Sequence, residues 1–145
     1  MEFAMAMFGF LFLFVILESV VAANLSGPVS AKCMNCICMV ESKCNLNIGC
    51  VKDRGSLSCG PFQIKMAYWI DCGRPGKGYK ECSKDYMCSY NCVQKYMKKY
   101  IGCSGCPRNC ESYARMHNGG PKGCKKDSTL EYWKKIMAAG CTAAS

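Results

Sequence analysis

Fifteen cysteines lie between Cys33 and Cys141, and none precedes them. In a chain of 145 residues, that density limits the fold more than any other feature. A chain this short buries little apolar surface, and cross-links can hold loops that packing cannot. Seven bridges would use fourteen of the cysteines and leave one over. Each bridge restricts the unfolded ensemble and contributes ~2–4 kcal/mol where its geometry is relaxed. Zinc is the competing use of the run Cys33-Met34-Asn35-Cys36-Ile37-Cys38. The chain has only one histidine, and an oxidising compartment favours disulfides over free thiolates. The expectation is no metal and no cofactor.

The N-terminal stretch points to the same compartment. Phe3 to Leu17 is an unbroken apolar run, followed by small residues at Ala22 and Ala23. It is too short for a good membrane span, and no second apolar run follows it. Residues 1–23 therefore read as a secretory leader and 24–145 as one exported, extracellular domain, although the leader begins with Glu2 and carries no Lys or Arg. Loss of Glu2 and Glu18 with the leader raises the formal charge from +9 to about +11. A protein so basic is drawn to bacterial walls, acidic glycans and anionic lipid surfaces. Export argues against nucleic acid as a partner, and no stable membrane insertion is expected. The sequon Asn24-Leu25-Ser26 sits too close to the cleavage point to be a convincing glycosylation site.

Periodicity predicts a mainly helical α+β domain. Lys32 to Cys44 has Cys33, Cys36, Ile37, Val40 and Cys44 on one helical face. Asn45 to Gly60 clusters Asn, Gly, Asp and Ser, and Lys52-Asp53-Arg54-Gly55-Ser56 reads as the turn of a small hairpin. Met66 to Ile70 reads as a short helix, followed by a Gly- and Lys-rich loop. Ser83 to Ile101 is the longest helical pattern, with Ser83 as N-cap and Asp85 in its first turn. Cys110 to His117 is a further short helix, stopped at Asn118-Gly119-Gly120. Ser128 to Ala139 has a capping box of Ser128 with Glu131, and an apolar face of Leu130, Trp133, Ile136 and Met137.

Two carboxylates stand out in the cysteine-rich first half. Glu41 follows Ile37 by four residues and so borders the apolar stripe of its helix. Partial desolvation there favours the neutral acid. Asp53 lies at a polar turn, which favours the anion. Hydrolysis of a glycosidic bond needs such a pair, one acid protonated to release the leaving oxygen and one ionised to attack or stabilise the sugar. By themselves the two residues are weak evidence, because two acids twelve apart are usually just solvated.

Longer motifs decide between these readings. Cys33-to-Cys44, "GCVKDRGSLSCGPFQIKMAYWIDCGRPG", "CVQKYMKKY" and "ARMHNGGPKGC" resemble the invertebrate-type lysozymes, also called the destabilase family, from about Cys33 to Cys141. The resemblance implies a lysozyme-like, mainly helical small domain held by about seven disulfides. It implies cleavage of the β-1,4 bond between N-acetylmuramic acid and N-acetylglucosamine in peptidoglycan, in antibacterial defence or digestion. It makes Glu41 the acid and Asp53 the nucleophile of a retaining hydrolase, and it marks Cys103 as the cysteine outside the pairs. The implied substrate cleft runs along Lys65 to Asp71, with Tyr68 and Trp69 offering flat surfaces to sugar rings. Tyr96 and His117-Asn118-Gly119 line its other side. Trp69 and Tyr96 also suit a core, and His117 also suits a helix C-terminus, where a cation favours the dipole.

Two other functions fit the same residues. Destabilase-type members are associated with isopeptidase action on ε-(γ-Glu)-Lys links, for which Ser56 with Lys65 is the candidate pair and His117 a suggested participant. A non-enzymatic cationic antibacterial protein would act by charge and amphipathic helices alone. Spacing leaves open the bridge connectivity and the choice between a monomer and a salt-sensitive homodimer that hides its cleft.

Overall fold

The computed structural model describes residues 27–145; the expected leader and the Asn24 sequon lie outside them. The described residues form six α-helices and a small three-stranded sheet. In chain order they are α1 (Ala31–Ser42), β1 (Cys50–Asp53), β2 (Ser56–Cys59), β3 (Ile64–Lys65), α2 (Met66–Asp71), α3 (Tyr79–Lys84), α4 (Tyr86–Ser104), α5 (Cys110–Gly119) and α6 (Leu130–Ala138). Two 3₁₀ turns, Gly123–Lys125 and Asp127–Thr129, connect α5 to α6. No helix among the described residues is long and apolar enough to cross a membrane.

Helix α1 forms where its apolar stripe predicts. The hydroxyl of Ser30 caps it by accepting from the Cys33 amide. Cys33, Met34, Cys36, Ile37 and Cys38 are buried. The left-handed Lys43 ends the helix one residue after Ser42, so Cys44 lies beyond the helix expected to include it. Before α1, the amide of buried Gln94 bonds both backbone groups of Val29 and fastens the chain's approach to the core.

The hairpin is antiparallel, with Asp53 opposite Ser56 and Cys50 opposite Cys59. Arg54 and Gly55 join the strands with φ of 47° and 83°, the left-handed pair that a two-residue turn requires. Strand β3 extends this hairpin to a third strand, antiparallel to β2. The hydroxyl of Tyr79 lies 2.9 and 2.8 Å from the carbonyls of Leu57 and Ile64 and so ties α3 to the sheet.

Two caps differ from the sequence-based reading. Ser83 ends in α3, buried, its hydroxyl without a partner. Asp85 caps α4 instead, its carboxylate accepting from the Cys88 amide at 2.7 Å. A carboxylate satisfies the exposed amides and complements the helix dipole at once, so it outcompetes a hydroxyl two residues earlier. At α6 the expected capping box does not form. Ser128 belongs to a 3₁₀ turn, Thr129 occupies the cap position without a side-chain cap, and Glu131 pairs with Lys134. The buried face of α6 is Tyr132, Trp133 and Ile136, while Leu130 and Met137 are exposed.

Seven bridges form, the number expected, with the pairing that spacing leaves open: Cys33–Cys110, Cys36–Cys141, Cys38–Cys44, Cys50–Cys59, Cys72–Cys92, Cys82–Cys88 and Cys106–Cys124. Cys103 is free and exposed. The core they enclose is aromatic as well as aliphatic. Phe62 is fully buried against Tyr86 and Tyr90, and Tyr68 stacks on Tyr96 at 3.7 Å between ring centroids.

Burial holds the phenols of Tyr68, Tyr79, Tyr86, Tyr96 and Tyr132 above their ordinary value near 10. Unfolded phenols ionise first as pH rises, so stability from these five is intact below about pH 10 and is lost above it. In an ultraviolet titration we expect Tyr68, Tyr96 and Tyr132 to ionise only together with alkaline unfolding. Reversible ionisation of all eight tyrosines near pH 10 in the folded protein would contradict this packing.

Candidate functional site

Glu41 lies in the last turn of α1 and Asp53 at the end of β1. The two carboxylates line the same two adjoining cavities, one of about 360 Å³ and one of about 570 Å³. Lys65 and Asn118 also line both. The cavities form one groove with the carboxylates at its waist.

The carboxylates occupy different surroundings. The Glu41 side chain is 19% exposed and that of Asp53 is 52% exposed. Glu41 Oε1 accepts a hydrogen bond from the Tyr132 hydroxyl at 2.7 Å. Burial, and after it the adjacent Glu41, raises the Tyr132 phenol well above its usual range, so it stays a donor. His117 Nε2 is 3.5 Å from the same carboxylate oxygen. Nε2 is also 2.9 Å from the Phe62 carbonyl, and Nδ1 is 3.2 Å from the Tyr68 hydroxyl. A carbonyl can only accept, so Nε2 carries a proton toward Phe62, and in the neutral ring Nδ1 then accepts from the Tyr68 hydroxyl. The ring is thus fastened on both sides, and it braces the wall beside Glu41. Burial holds the Tyr68 phenol in its neutral form, with Tyr96 and Glu41 adding to the effect.

Asp53 has a different partner. Lys65 Nζ lies 3.2 Å from Asp53 Oδ2 and 3.3 Å from the Asp53 carbonyl, and it donates to Ser56 Oγ at 2.7 Å. Ser56 in turn donates to the Asp53 carbonyl at 3.2 Å. One lysine therefore gathers the anion and the serine across the hairpin turn. Ser56 stands behind Lys65 and lines neither cavity.

The sequence-predicted residues divide accordingly. Lys65, Tyr68, Asp71, Tyr96, His117 and Asn118 line the smaller cavity, and Gly119 lines the larger. Tyr96 is 3% exposed and mainly supports Tyr68 from behind. Asp71 pairs with Lys99 at 3.7 Å. Trp69 lines neither cavity. Its indole donates to the Pro75 carbonyl at 3.0 Å and packs against Tyr79. At about 100° per residue, Ala67, Tyr68 and Asp71 share the face of α2 that lines the groove, and Trp69 falls outside that arc.

Sequence reasoning missed Tyr132, whose partner Glu41 lies 91 residues away. It also missed the groove residues Arg54, Gln63, Pro121, Lys126 and Lys135. The aromatic beside Trp133 was the available signal for Tyr132, but nothing local indicates where its hydroxyl points.

Comparison with known proteins agrees with the motifs. The Destabilase family model matches residues 30–139. A lysozyme of Magallana gigas is 53% identical over 131 residues, covering 90% of this chain and 95% of that protein. A lysozyme of Meretrix lusoria is 57% identical over 116 residues, covering 79% of this chain and 94% of that protein. The crystal structure of Tapes japonica lysozyme superposes with a TM-score of 0.78 at 54% identity, covering 83% of this chain and 98% of that one. With fold, bridges and motifs in agreement along the matched length, the chain belongs to the Destabilase family, and lysozymes are among its relatives.

Proposed function

We propose that this protein is a secreted muramidase that hydrolyses the β-1,4 link between N-acetylmuramic acid and N-acetylglucosamine in bacterial peptidoglycan. The observation that carries the reading is the pair at the groove's waist: Glu41 enclosed and donor-bonded, Asp53 open and paired with a cation. Family membership and relatives named lysozyme support it. The seven bridges fit an oxidising, extracellular setting.

The chemistry follows from the two environments. Tyr132 occupies Glu41 Oε1, so the acid proton resides on Oε2 and is delivered to the leaving glycosidic oxygen as its bond to C1 breaks. An Asp53 carboxylate oxygen bonds C1 to give a glycosyl-enzyme, while Lys65 holds the carboxylate in place. Water then attacks C1, Glu41 takes the water's proton, and Asp53 is released. Two displacements at C1 return the original configuration, so the enzyme retains. Tyr68, backed by Tyr96, presents a fixed surface at the groove wall for a sugar ring.

Clearing of Gram-positive cell walls tests these roles. Glu41→Gln is expected to lower kcat by about 10²–10⁴-fold, the span of a general acid–base contribution, and Asp53→Asn to lower it at least as far by removing the nucleophile. Tyr132→Phe removes one hydrogen bond to the acid and should cost about tenfold in kcat at little change in KM. Wild-type clearing by Glu41→Gln would assign killing to charge alone and overturn the enzymatic reading.

The contact between Lys65 and Ser56 favours isopeptidase action as a second reading. In the resting geometry Lys65 donates to Ser56 and pairs with Asp53, so it must lose a proton before it can act as base. Ser56→Ala should abolish cleavage of an ε-(γ-Glu)-Lys amide and spare wall lysis. A parallel fall in both activities would make Ser56 a structural residue of the hairpin.

A further inference from the structure

The two halves of the groove differ in chemistry. Apart from Lys65 at the waist, the smaller half contains no lysine or arginine and is walled by Tyr68, Ala67, Tyr96 and Pro121. The larger half is lined by Arg54, Lys126 and Lys135, together with Ser128 and Tyr132. None of these three cations is in an ion pair among the described residues. Of the two acids there, Asp53 already has Lys65 as its partner. The larger half is therefore an unneutralised cationic pocket beside the reacting pair.

The pocket is held on a fixed frame. Arg115 is buried, and it donates from Nε to Thr129 Oγ1 at 2.8 Å and from Nη2 to the Lys126 carbonyl at 3.1 Å. Lys126 Nζ donates to the Gly119 carbonyl at 2.6 Å. At Gly123 a Cβ would collide with the Arg115 carbonyl, so only glycine lets this loop pack so closely on α5. Lys135 comes from α6, one turn after Tyr132. Through its carbonyl and Nζ contacts, Lys126 is held at a set position at the edge of the pocket.

We infer that Lys126 and Lys135, with Arg54, form a subsite for the carboxylates of the peptide stem carried by the muramoyl sugar. This rests on the muramidase reading. The chemistry of that sugar supplies the link. Its lactyl group is on the ring whose C1 reacts with Asp53, so the stem hangs from the residue bound at the waist. A stem leaving toward the cationic half meets three unpaired cations, and one leaving toward the aromatic half meets none. The subsite would make the enzyme prefer wall glycan with acidic stems over glycan of the same backbone without charge.

The test compares glycan strands whose stems end in free carboxylates with the same strands amidated at those carboxylates. For the wild type, kcat/KM is expected to favour the acidic strands. Lys126→Gln/Lys135→Gln should reduce that preference by about five- to tenfold, chiefly through KM, as expected for losing two partly exposed ion pairs. Lys126→Arg/Lys135→Arg should keep it, which separates charge from folding. Equal cleavage of both strands by the wild type would overturn the subsite and leave the muramidase reading intact. So would a preference that survives in the glutamine variant. Failure of the wild type to cleave either strand would remove the muramidase reading and the subsite with it.

Discussion

The site depends first on covalent pinning of α1. Cys33–Cys110 ties that helix to the start of α5, and Cys36–Cys141 ties it to the segment after α6. The bridges join residues 77 and 105 apart in sequence. In the chain-entropy account, loops of this length make each worth ~4–5 kcal/mol. Their structural consequence matters as much. Glu41 is in the last turn of α1, Tyr132 on α6 and His117 near the end of α5, so the two bridges fasten together the elements that surround the carboxylate. Cys38–Cys44 closes the end of α1 just beyond Glu41.

The opposite wall is built by different means. Cys50–Cys59 closes the base of the hairpin, and the left-handed Arg54-Gly55 turn fixes its tip next to Asp53. Tyr79 holds the sheet from below through two carbonyls. The helical wall encloses its acid, and the hairpin wall leaves its acid open to water and a lysine. In the proposed mechanism the enclosed Glu41 is the acid and the lysine-paired Asp53 the nucleophile. The groove carries a second contrast along its length, between an aromatic half and a cationic half.

Much of this was legible in the sequence because it follows from local rules. The stripe through Cys33, Cys36 and Ile37 located α1 and set Glu41 at its border. The run around Arg54 and Gly55 located the hairpin turn and set Asp53 beside it. The odd cysteine count left one cysteine outside the bridges within the chain, and family resemblance pointed to Cys103. Competition between local signals was harder to judge. Ser83 and Asp85 are both good caps, and the carboxylate prevailed. Ser128 and Glu131 spell a capping box, yet the Arg115–Thr129 network draws the preceding turn into a 3₁₀ conformation. Long-range geometry was legible only through the resemblance, which set Tyr96 and His117-Asn118-Gly119 across the groove from Lys65 and Tyr68. The Tyr132 bond to Glu41 and the gathering of Arg54, Lys126 and Lys135 around one pocket depend on how the bridges fold distant segments together.

The central claim is that Glu41 and Asp53 act on one glycosidic bond, the first as acid and the second as nucleophile. Covalent trapping tests it most directly. A 2-deoxy-2-fluoro glycosyl fluoride has a leaving group that needs no acid, and its fluorine slows release of the sugar. Incubated with the Glu41→Gln variant, it should add one glycosyl unit to the intact mass, and peptide mapping should place that unit on Asp53. Label on another residue, or turnover to a product of inverted configuration without label, would contradict the account.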